Sequence, residues 1–212
     1  MPFLYEDQIT FEKSSSYFRS EEAPSRIYNY NQYTKLILLV CNPVTRAITQ
    51  YTDEILSKNK NFEENDKQIA ENFENTIFDE KGQIRMNLKN DELINPGRYI
   101  IHYKRWLKYF PKEQILVLNG DNLLKKPYEE VKMVEKFLNS SSYIQSQNFV
   151  YDKKKGFVCI KKNFNSTELD CIENFKKNFQ PDISPNTITK LVKYFEPLDK
   201  QFFQLIKKEP FW

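Results

Sequence analysis

The stretch from Lys35 to Thr52 constrains the fold of this chain most strongly, because a short apolar run leads straight into an amphipathic pattern. Leu36–Val40 is apolar throughout, which predicts a buried strand covered on both faces. Asn42 suits the N-cap of a helix, and Pro43 suits its first position. Apolar residues then recur at helical spacing at Val44, Ala47, Ile48, Tyr51 and Ile55. The sequence therefore predicts a buried strand that turns directly into a helix.

Such a junction between strand and helix is a candidate site for a phosphate or sulfate group. In open α/β sheets, ligands lie at the carboxyl ends of the strands, where free N–H groups at helix N-termini bind anions. The residue that leaves the strand is Cys41, which carries no positive charge. An ordinary strand–helix unit without a ligand therefore stays open as the alternative.

Composition narrows the function classes. The chain has 212 residues, of which 40% are hydrophobic and 15% aromatic, enough for one substantial core. A net charge of +3 does not indicate a nucleic-acid partner. Lysines cluster at Lys153–Lys155, Lys161–Lys162, Lys176–Lys177 and Lys207–Lys208, which indicates either a solvated surface or a surface for an anionic ligand.

Several kinds of site are not expected. The 4 glycines are too far apart for a glycine-rich phosphate loop. With 1 histidine and 3 cysteines, we expect neither a metal site nor a Ser/His/Asp triad, and we interpret His102 as structural. No apolar run reaches membrane-spanning length, and Met1–Phe18 lacks the pattern of a signal peptide.

The remaining pattern predicts one α/β domain without an internal linker. In the first half, the other predicted elements are a short strand at Ile9–Lys13, a helix plus long surface loop at Asn61–Leu93 and a helix at Pro96–Phe110. A buried strand at Gln114–Leu118 follows, and then a helix at Pro127–Leu138 that buries Val131, Val134, Phe137 and Leu138. The last predicted elements are a mostly irregular segment at Phe149–Cys171, a helix at Ser184–Phe195 and a final helix from Pro197.

Taken together, six segments in order resemble the heparan sulfate sulfotransferases, and among them the glucosamine 3-O-sulfotransferases most closely. These segments are Met1–Phe18, Ala23–Tyr28, Lys35–Thr52, Gly97–Leu138, Lys154–Cys159 and Tyr194–Trp212. The resemblance covers nearly the whole chain and is weakest over Asn59–Pro96. It implies a sulfotransferase fold like that of P-loop NTPases, with a central, mostly parallel sheet flanked by helices. Residues 1–212 then form a single domain, which we expect to lack the N-terminal strand–phosphate loop–helix unit.

The resemblance also implies an activity. Such enzymes transfer a sulfo group from 3′-phosphoadenosine 5′-phosphosulfate to a glucosamine hydroxyl of heparan sulfate in the Golgi lumen, without a metal. A carboxylate removes the hydroxyl proton, and cationic groups stabilise the leaving phosphate. The family's phosphate loop and catalytic glutamate lie upstream of the segment that Met1–Phe18 matches. The alternatives are an inactive family member that binds anionic glycans and, ranked low, a nucleic-acid-binding protein.

The resemblance assigns donor-binding roles to positions whose residues often differ from the family pattern. The arginine that binds the donor's 3′-phosphate corresponds to Cys41, and its serine partner to Thr49. The family's Lys-Gly-Arg-x-His-Pro loop, which wraps the cofactor, corresponds to Lys176, Lys177, Asn178, Phe179, Gln180 and Pro181. In that loop only the lysine and the proline are retained.

On the acceptor side, the family's EKS/EKT motif matches Lys13, which lies beside Ser14, Ser15 and Ser16. In the family, this strand end contacts the glycan and the reaction centre, which makes Lys13 both an acceptor-binding and a catalytic candidate. A Trp-Ser pair that contacts the acceptor corresponds to Asp91–Glu92, an acidic pair that would repel a sulfated glycan.

The resemblance further implies a disulfide between Cys159 and Cys171, which would suit an oxidising lumen. Without it, two cysteines at this spacing are only a weak disulfide signal. Asn139 and Asn165 each begin a sequon for N-linked glycosylation, a short motif that often occurs by chance.

Overall fold

The computed structural model describes residues 8–58, 66–85, 88–153, 157–161, 168–171 and 181–212. The helices are α1 Ala23–Tyr30, α2 Pro43–Lys58, α3 Asp66–Ile77, α4 Leu88–Ile94, α5 Tyr99–Trp106, α6 Gly120–Lys125, α7 Pro127–Leu138 and α8 Pro185–Ile206. The strands are β1 Leu36–Val40, β2 Ile115–Asn119, β3 Phe149–Asp152, β4 Phe157–Lys161 and β5 Leu169–Asp170.

Strands β1 and β2 pair in parallel, with Leu36 opposite Ile115 and Val40 opposite Asn119. This confirms that both segments are strands, and it confirms the α/β class. One face of the pair packs on helices α5 and α8, where the fully buried aromatic side chains include Tyr103 and Phe202. The carboxyl ends of both strands therefore meet at the edge from which α2 and α6 begin.

The expectation that β1 is covered on both faces is wrong. Val40 is 1% exposed, but Ile37 and Leu39, which point to the other face, are 43% and 52% exposed. Helices α6 and α7, which follow β2, contact β2. An apolar stripe of β1 therefore faces solvent.

Two predictions about the first half of the chain are corrected. The residues of Ile9–Lys13 form no strand, because no described strand lies beside them to accept their hydrogen bonds. The helix predicted in the polar Asn61–Leu93 segment is confirmed as α3, but the long loop predicted beside it is interrupted, because most of α4 also lies in this segment. Helix α3 buries Phe73 completely, and the Phe73 ring lies 5.3 Å from that of Tyr51 in α2.

Helix α5 is shorter than the predicted Pro96–Phe110, because a 3-10 turn at Asn95–Gly97 precedes it and turns follow Trp106. Its predicted apolar face is largely confirmed, since the buried side chains include Tyr99, Tyr103, Trp106 and Phe110. Leu107 is only half-buried. These aromatic side chains form the layer beneath β1 and β2.

Helix α7 has the predicted bounds but buries different residues. Val131, Val134, Phe137 and Leu138 are only half-buried, whereas Glu130 and Glu135 are buried. Both carboxylates are satisfied by hydrogen bonds. Glu130 accepts one from the Asn119 backbone N–H at 3.1 Å, and Glu135 accepts one from that of Tyr143 at 2.9 Å. These carboxylates bind the loops on either side of the helix, which is why they lie inside.

The segment Phe149–Cys171, predicted to be mostly irregular, instead contains an antiparallel sheet of order β3–β4–β5. Cys159 and Cys171 form the disulfide implied by the resemblance, with their Cα atoms 4.5 Å apart. The bond joins β4 to the residue after β5. Backbone pairing and the disulfide therefore connect the described strands of this segment.

The two predicted C-terminal helices form one continuous helix, α8, with Pro197 inside it. Ser184 is the N-cap as predicted, since its hydroxyl accepts a hydrogen bond from the Thr187 N–H at 3.2 Å. Burial of Phe195 and Phe202 on either side of Pro197 stabilises the helix across the proline. No helix among the described residues is long and apolar enough to cross a membrane.

Candidate functional site

The junction between β1 and α2 has the predicted geometry. The side-chain oxygen of Asn42 accepts hydrogen bonds from the N–H groups of Val44 at 2.9 Å and Thr45 at 3.2 Å, which confirms the N-cap. Pro43 has no N–H to donate. Because Asn42 already binds these N–H groups, an anion at this terminus depends on neighbouring side chains for most of its charge.

Cys41 is a neutral group at the end of β1. Its backbone N–H lies 3.4 Å from the Tyr99 hydroxyl, which in turn donates to the Cys41 carbonyl oxygen at 2.8 Å. Burial raises the pKa of the Cys41 thiol and also raises the pKa of Tyr99. Both groups are therefore uncharged at neutral pH, and Cys41 stands where the resemblance predicts the arginine that binds the donor.

Arg46 is a cation at this junction that the sequence analysis missed. Its guanidinium donates to the Leu93 carbonyl oxygen and, at 2.7 Å, to the side-chain oxygen of Gln50. Its Nε is buried and has no partner among the described residues. Burial lowers the pKa of Arg46. In the sequence, the only signal for Arg46 was its position on a partly buried side of the predicted helix α2.

Thr49, the predicted partner of the donor phosphate, is half-buried on α2. It lies three residues after Arg46, so the two side chains share one side of the helix. The structure therefore adds a guanidinium beside the hydroxyl that the sequence predicted.

A cleft of about 910 Å³, which we call the junction cleft, opens beside the start of α2. Residues that line it include Asn42, Pro43, Asp199, Lys200, Lys207, Lys208 and Trp212. The predicted Lys207–Lys208 cluster thus lies next to the candidate anion site. Lys208 donates to the Val117 carbonyl oxygen at 2.6 Å, whereas Lys200 and Lys207 are exposed.

A second cleft, of about 1070 Å³, contains part of the predicted acceptor site, and we call it the arginine cleft. Its lining includes Ser16, Arg19, Arg26, Asp91, Glu92, Arg98, His102 and Arg105. The structure thus brings Ser16 together with the Asp91–Glu92 pair. Lys13, Ser14 and Ser15 are not among its lining residues, although the Ser14 hydroxyl lies 2.9 Å from that of Ser16.

The charges in the arginine cleft are of both signs. Arg105 pairs with Glu21 at 3.2 Å, and Arg26 pairs with Glu22 one helical turn away. Arg98 has a buried Nε without a partner among the described residues. The exposed acidic pair Asp91–Glu92 lines the same cleft. An anionic ligand here would meet the Arg98 side chain and also an acidic pair that repels it.

His102 has the environment of a structural residue. It is 1% exposed, and its Nε2 lies 2.8 Å from the Asn95 carbonyl oxygen. Burial lowers the pKa of His102, so the ring is neutral at pH 7. This environment fits the structural role predicted from the sequence.

Some predicted site residues lie outside the described part of the chain. They are Lys176, Lys177, Asn178, Phe179, Gln180 and Asn165. Among the described residues, possible metal ligands cluster at Asp152, Cys159 and Cys171. The two sulfurs are bonded to each other, so this set does not offer the thiolates that a metal would need.

Comparisons with known proteins agree with this architecture. The sulfotransferase domain family matches residues 10–209. Over 212 residues the chain is 38% identical to human heparan sulfate glucosamine 3-O-sulfotransferase 5, covering all of this chain and 59% of that protein. It is 33% identical to mouse heparan sulfate glucosamine 3-O-sulfotransferase 3A1, covering 51% of that protein. The chain thus spans little more than half the length of these relatives.

The fold is also similar to that of a solved structure. A crystal structure of a sulfotransferase from Alicyclobacillus acidocaldarius superposes with a TM-score of 0.57 at 17% identity, covering 92% of this chain and 63% of that one. At this identity the similarity supports the fold alone.

Proposed function

Because this chain belongs to the sulfotransferase domain family, we propose that it transfers a sulfo group from 3′-phosphoadenosine 5′-phosphosulfate to a glucosamine hydroxyl of heparan sulfate. The observation that carries the proposal is the β1–α2 junction, where the end of a parallel strand meets a helix N-terminus beside Arg46 and Thr49. Parallel-sheet proteins bind anionic ligands at this kind of edge. The relatives named above suggest the sugar and the position.

In this proposal, residues of the junction bind the donor. The Thr49 hydroxyl donates a hydrogen bond to the 3′-phosphate, and the buried charge of Arg46 attracts it. The exposed Lys200 and Lys207, which line the junction cleft beside the start of α2, supply further charge. These cations and the Thr49 hydroxyl can bind a phosphate group, although Cys41 contributes no charge.

Transfer breaks the bond between sulfur and the bridging phosphate oxygen and forms a bond from sulfur to the sugar oxygen. The sugar hydroxyl gives its proton to a base, and the leaving phosphate gains negative charge. This chain would contribute by holding donor and acceptor in line and by stabilising that charge. Lys13 is the candidate for the reaction centre, and Ser16 together with Arg98 for the glycan.

A second candidate function is binding of anionic glycans without transfer. The neutral Cys41 and the N–H groups already bound by Asn42 favour it. Losing one charge-assisted contact costs about 1.5–3 kcal/mol, or roughly ten- to a hundred-fold in donor affinity. The unpaired Arg98 side chain would still attract a sulfated chain.

The disulfide supports a place in an oxidising lumen for either function, and we propose the Golgi lumen from the relatives. We propose no metal cofactor and no nucleic-acid partner.

The decisive experiment measures transfer of radiolabelled sulfate from the donor to heparan sulfate, beside salt-dependent binding to immobilised heparin. Transfer that falls in Thr49→Ala but not in Thr45→Ala supports the enzyme, because Thr45 is exposed on the same helix. Heparin binding without transfer, weakened by Arg98→Ala, supports the second function. Absence of both transfer and heparin binding would contradict the proposal.

A further inference from the structure

The sequon Asn139-Ser140-Ser141 begins at the C-cap residue of helix α7. Asn139 is exposed and closes α7 in the left-handed conformation, with φ 57° and ψ 32°. Asparagine tolerates this conformation better than most residues, which explains its place at the helix end. Its side chain is exposed, and the described residues offer its amide no hydrogen-bond partner.

The two serines leave the helix along the surface. The Ser140 N–H and hydroxyl both donate to the Glu135 carbonyl oxygen, at 3.0 Å and 3.2 Å. The Glu135 carboxylate accepts from the N–H groups of Tyr143 and Ile144, each at 2.9 Å. Ser141, between these anchors, is exposed and holds the hydroxyl that a sequon requires.

The disulfide is an independent observation that points to the same chemistry. Cys159 and Cys171 are both buried and bonded to each other. Disulfides of this kind form in the oxidising secretory compartments, and N-linked glycans are added to secreted proteins. The disulfide therefore indicates the oxidising compartments in which N-linked glycans are attached to sequons.

We propose that Asn139 carries an N-linked glycan. The side-chain amide nitrogen loses a proton and bonds to the anomeric carbon of an oligosaccharide, whose lipid diphosphate carrier is the leaving group. This inference does not depend on sulfo transfer, because it is carried by the exposed sequon and the disulfide.

The position of Asn139 keeps such a glycan away from the candidate site. The ammonium of Lys35, just before β1, donates to the Phe137 carbonyl oxygen at 2.6 Å, so the end of α7 lies beside the start of β1. Cys41 lies at the opposite end of that strand. A strand rises about 3.3 Å per residue, so about 16 Å of strand separates Leu36 from Cys41. A glycan at Asn139 would therefore extend from the end of β1 that lies opposite the β1–α2 junction.

The test is expression of the full chain behind a cleavable secretion leader in cultured animal cells. Peptide mapping then follows, with and without an enzyme that removes N-linked glycans and leaves aspartate. We expect a glycopeptide at Asn139 that is lost in Asn139→Gln and in Ser141→Ala. Ser140→Ala is the matched control, because the middle position of a sequon accepts alanine. Asn165→Gln removes the second sequon, so that any remaining glycan can be assigned to Asn139.

Molecules that contain the Cys159–Cys171 disulfide have passed through the oxidising lumen, so they form the population to examine. An unmodified Asn139 peptide in those molecules would overturn the proposal. A glycopeptide at Asn139 in the same molecules supports it, whether or not the protein transfers sulfate or binds heparin. Heparin binding that stays unchanged in Asn139→Gln would further support the remote position of the glycan.

Discussion

The Tyr99 hydroxyl donates a hydrogen bond of 2.8 Å to the Cys41 carbonyl oxygen, which ties helix α5 to the end of strand β1. The same hydroxyl lies 3.4 Å from the Cys41 N–H. Because Tyr99 is buried, both groups lie in a region with little water to replace a lost partner. This contact fixes the loop from which α2 begins.

Tyr99→Phe should lower the free energy of unfolding by about 0.5–1.5 kcal/mol, because it leaves the Cys41 carbonyl without its partner. Urea unfolding monitored by circular dichroism measures the loss. Tyr103→Phe is the control, since Tyr103 is equally buried and its hydroxyl has no partner among the described residues. Equal losses in both variants would contradict the role assigned to the Tyr99 hydroxyl.

Gly97→Ala should destabilise the protein by about 1–3 kcal/mol through overpacking. A Cβ at this position would lie 2.8 Å from the Pro43 Cβ and 3.0 Å from a ring carbon of Phe195. Pro43 at the start of α2 and the Phe195 ring of α8 would therefore have to move away from residue 97. Thermal unfolding tests the loss, and an unchanged midpoint would show that the contact relaxes without cost.

Asp199 should make stability depend on pH. Burial raises the pKa of its carboxyl from 3.8 to about 6, while a hydrogen bond from the Trp212 indole opposes that shift. Between these two values the folded state holds more protons than the unfolded state, so stability falls as pH rises through this window.

Asp199→Asn keeps an oxygen for the Trp212 indole N–H but cannot ionise. The variant should therefore lose this fall in stability and gain most over the parent above pH 6. Urea midpoints between pH 4 and pH 8 measure the difference, with the exposed Asp182→Asn as control. A constant difference between Asp199→Asn and the parent across this range would refute the assignment.

The exposed face of β1 should promote self-association. Ile37 and Leu39 are 43% and 52% exposed on a parallel strand, whereas such strands are normally covered on both faces. Ile37→Thr should reduce concentration-dependent association in sedimentation velocity at little cost in stability. Leu38→Thr, on the packed face of the same strand, should instead lower stability. If Ile37→Thr associates as strongly as the parent, this face of β1 does not mediate self-association.

Local signals sufficed to predict β1, β2, the Asn42 and Ser184 caps and helix α7, because each rests on neighbouring residues. The burial of Phe73 could not be predicted in the same way, since the polar composition around α3 conceals a core face that packs against α2 and α4. Strands β3 and β4 pair with each other and carry strand-forming residues such as Val150, Tyr151, Val158 and Ile160, but the lysine-rich stretch between them concealed this local signal.

The candidate site shows the same limit. Cys41 and Thr49 could be placed from the sequence because they lie on one strand–helix unit. Arg98 and Asp91 approach Ser16 only because α4 and α5 pack beside the segment before α1. No spacing along the chain indicates that arrangement, so the arginine cleft became visible only in three dimensions.

The central claim is that the β1–α2 junction binds the phosphate groups of the sulfo donor. Isothermal titration calorimetry with 3′-phosphoadenosine 5′-phosphate tests it most directly, in the parent and in Cys41→Arg. We predict measurable binding by the parent and roughly ten- to a hundred-fold tighter binding by Cys41→Arg, which restores one charge-assisted contact. Cys41→Lys should gain less, because an ammonium cannot form the paired contacts of a guanidinium. Absence of binding in all three proteins would contradict the claim.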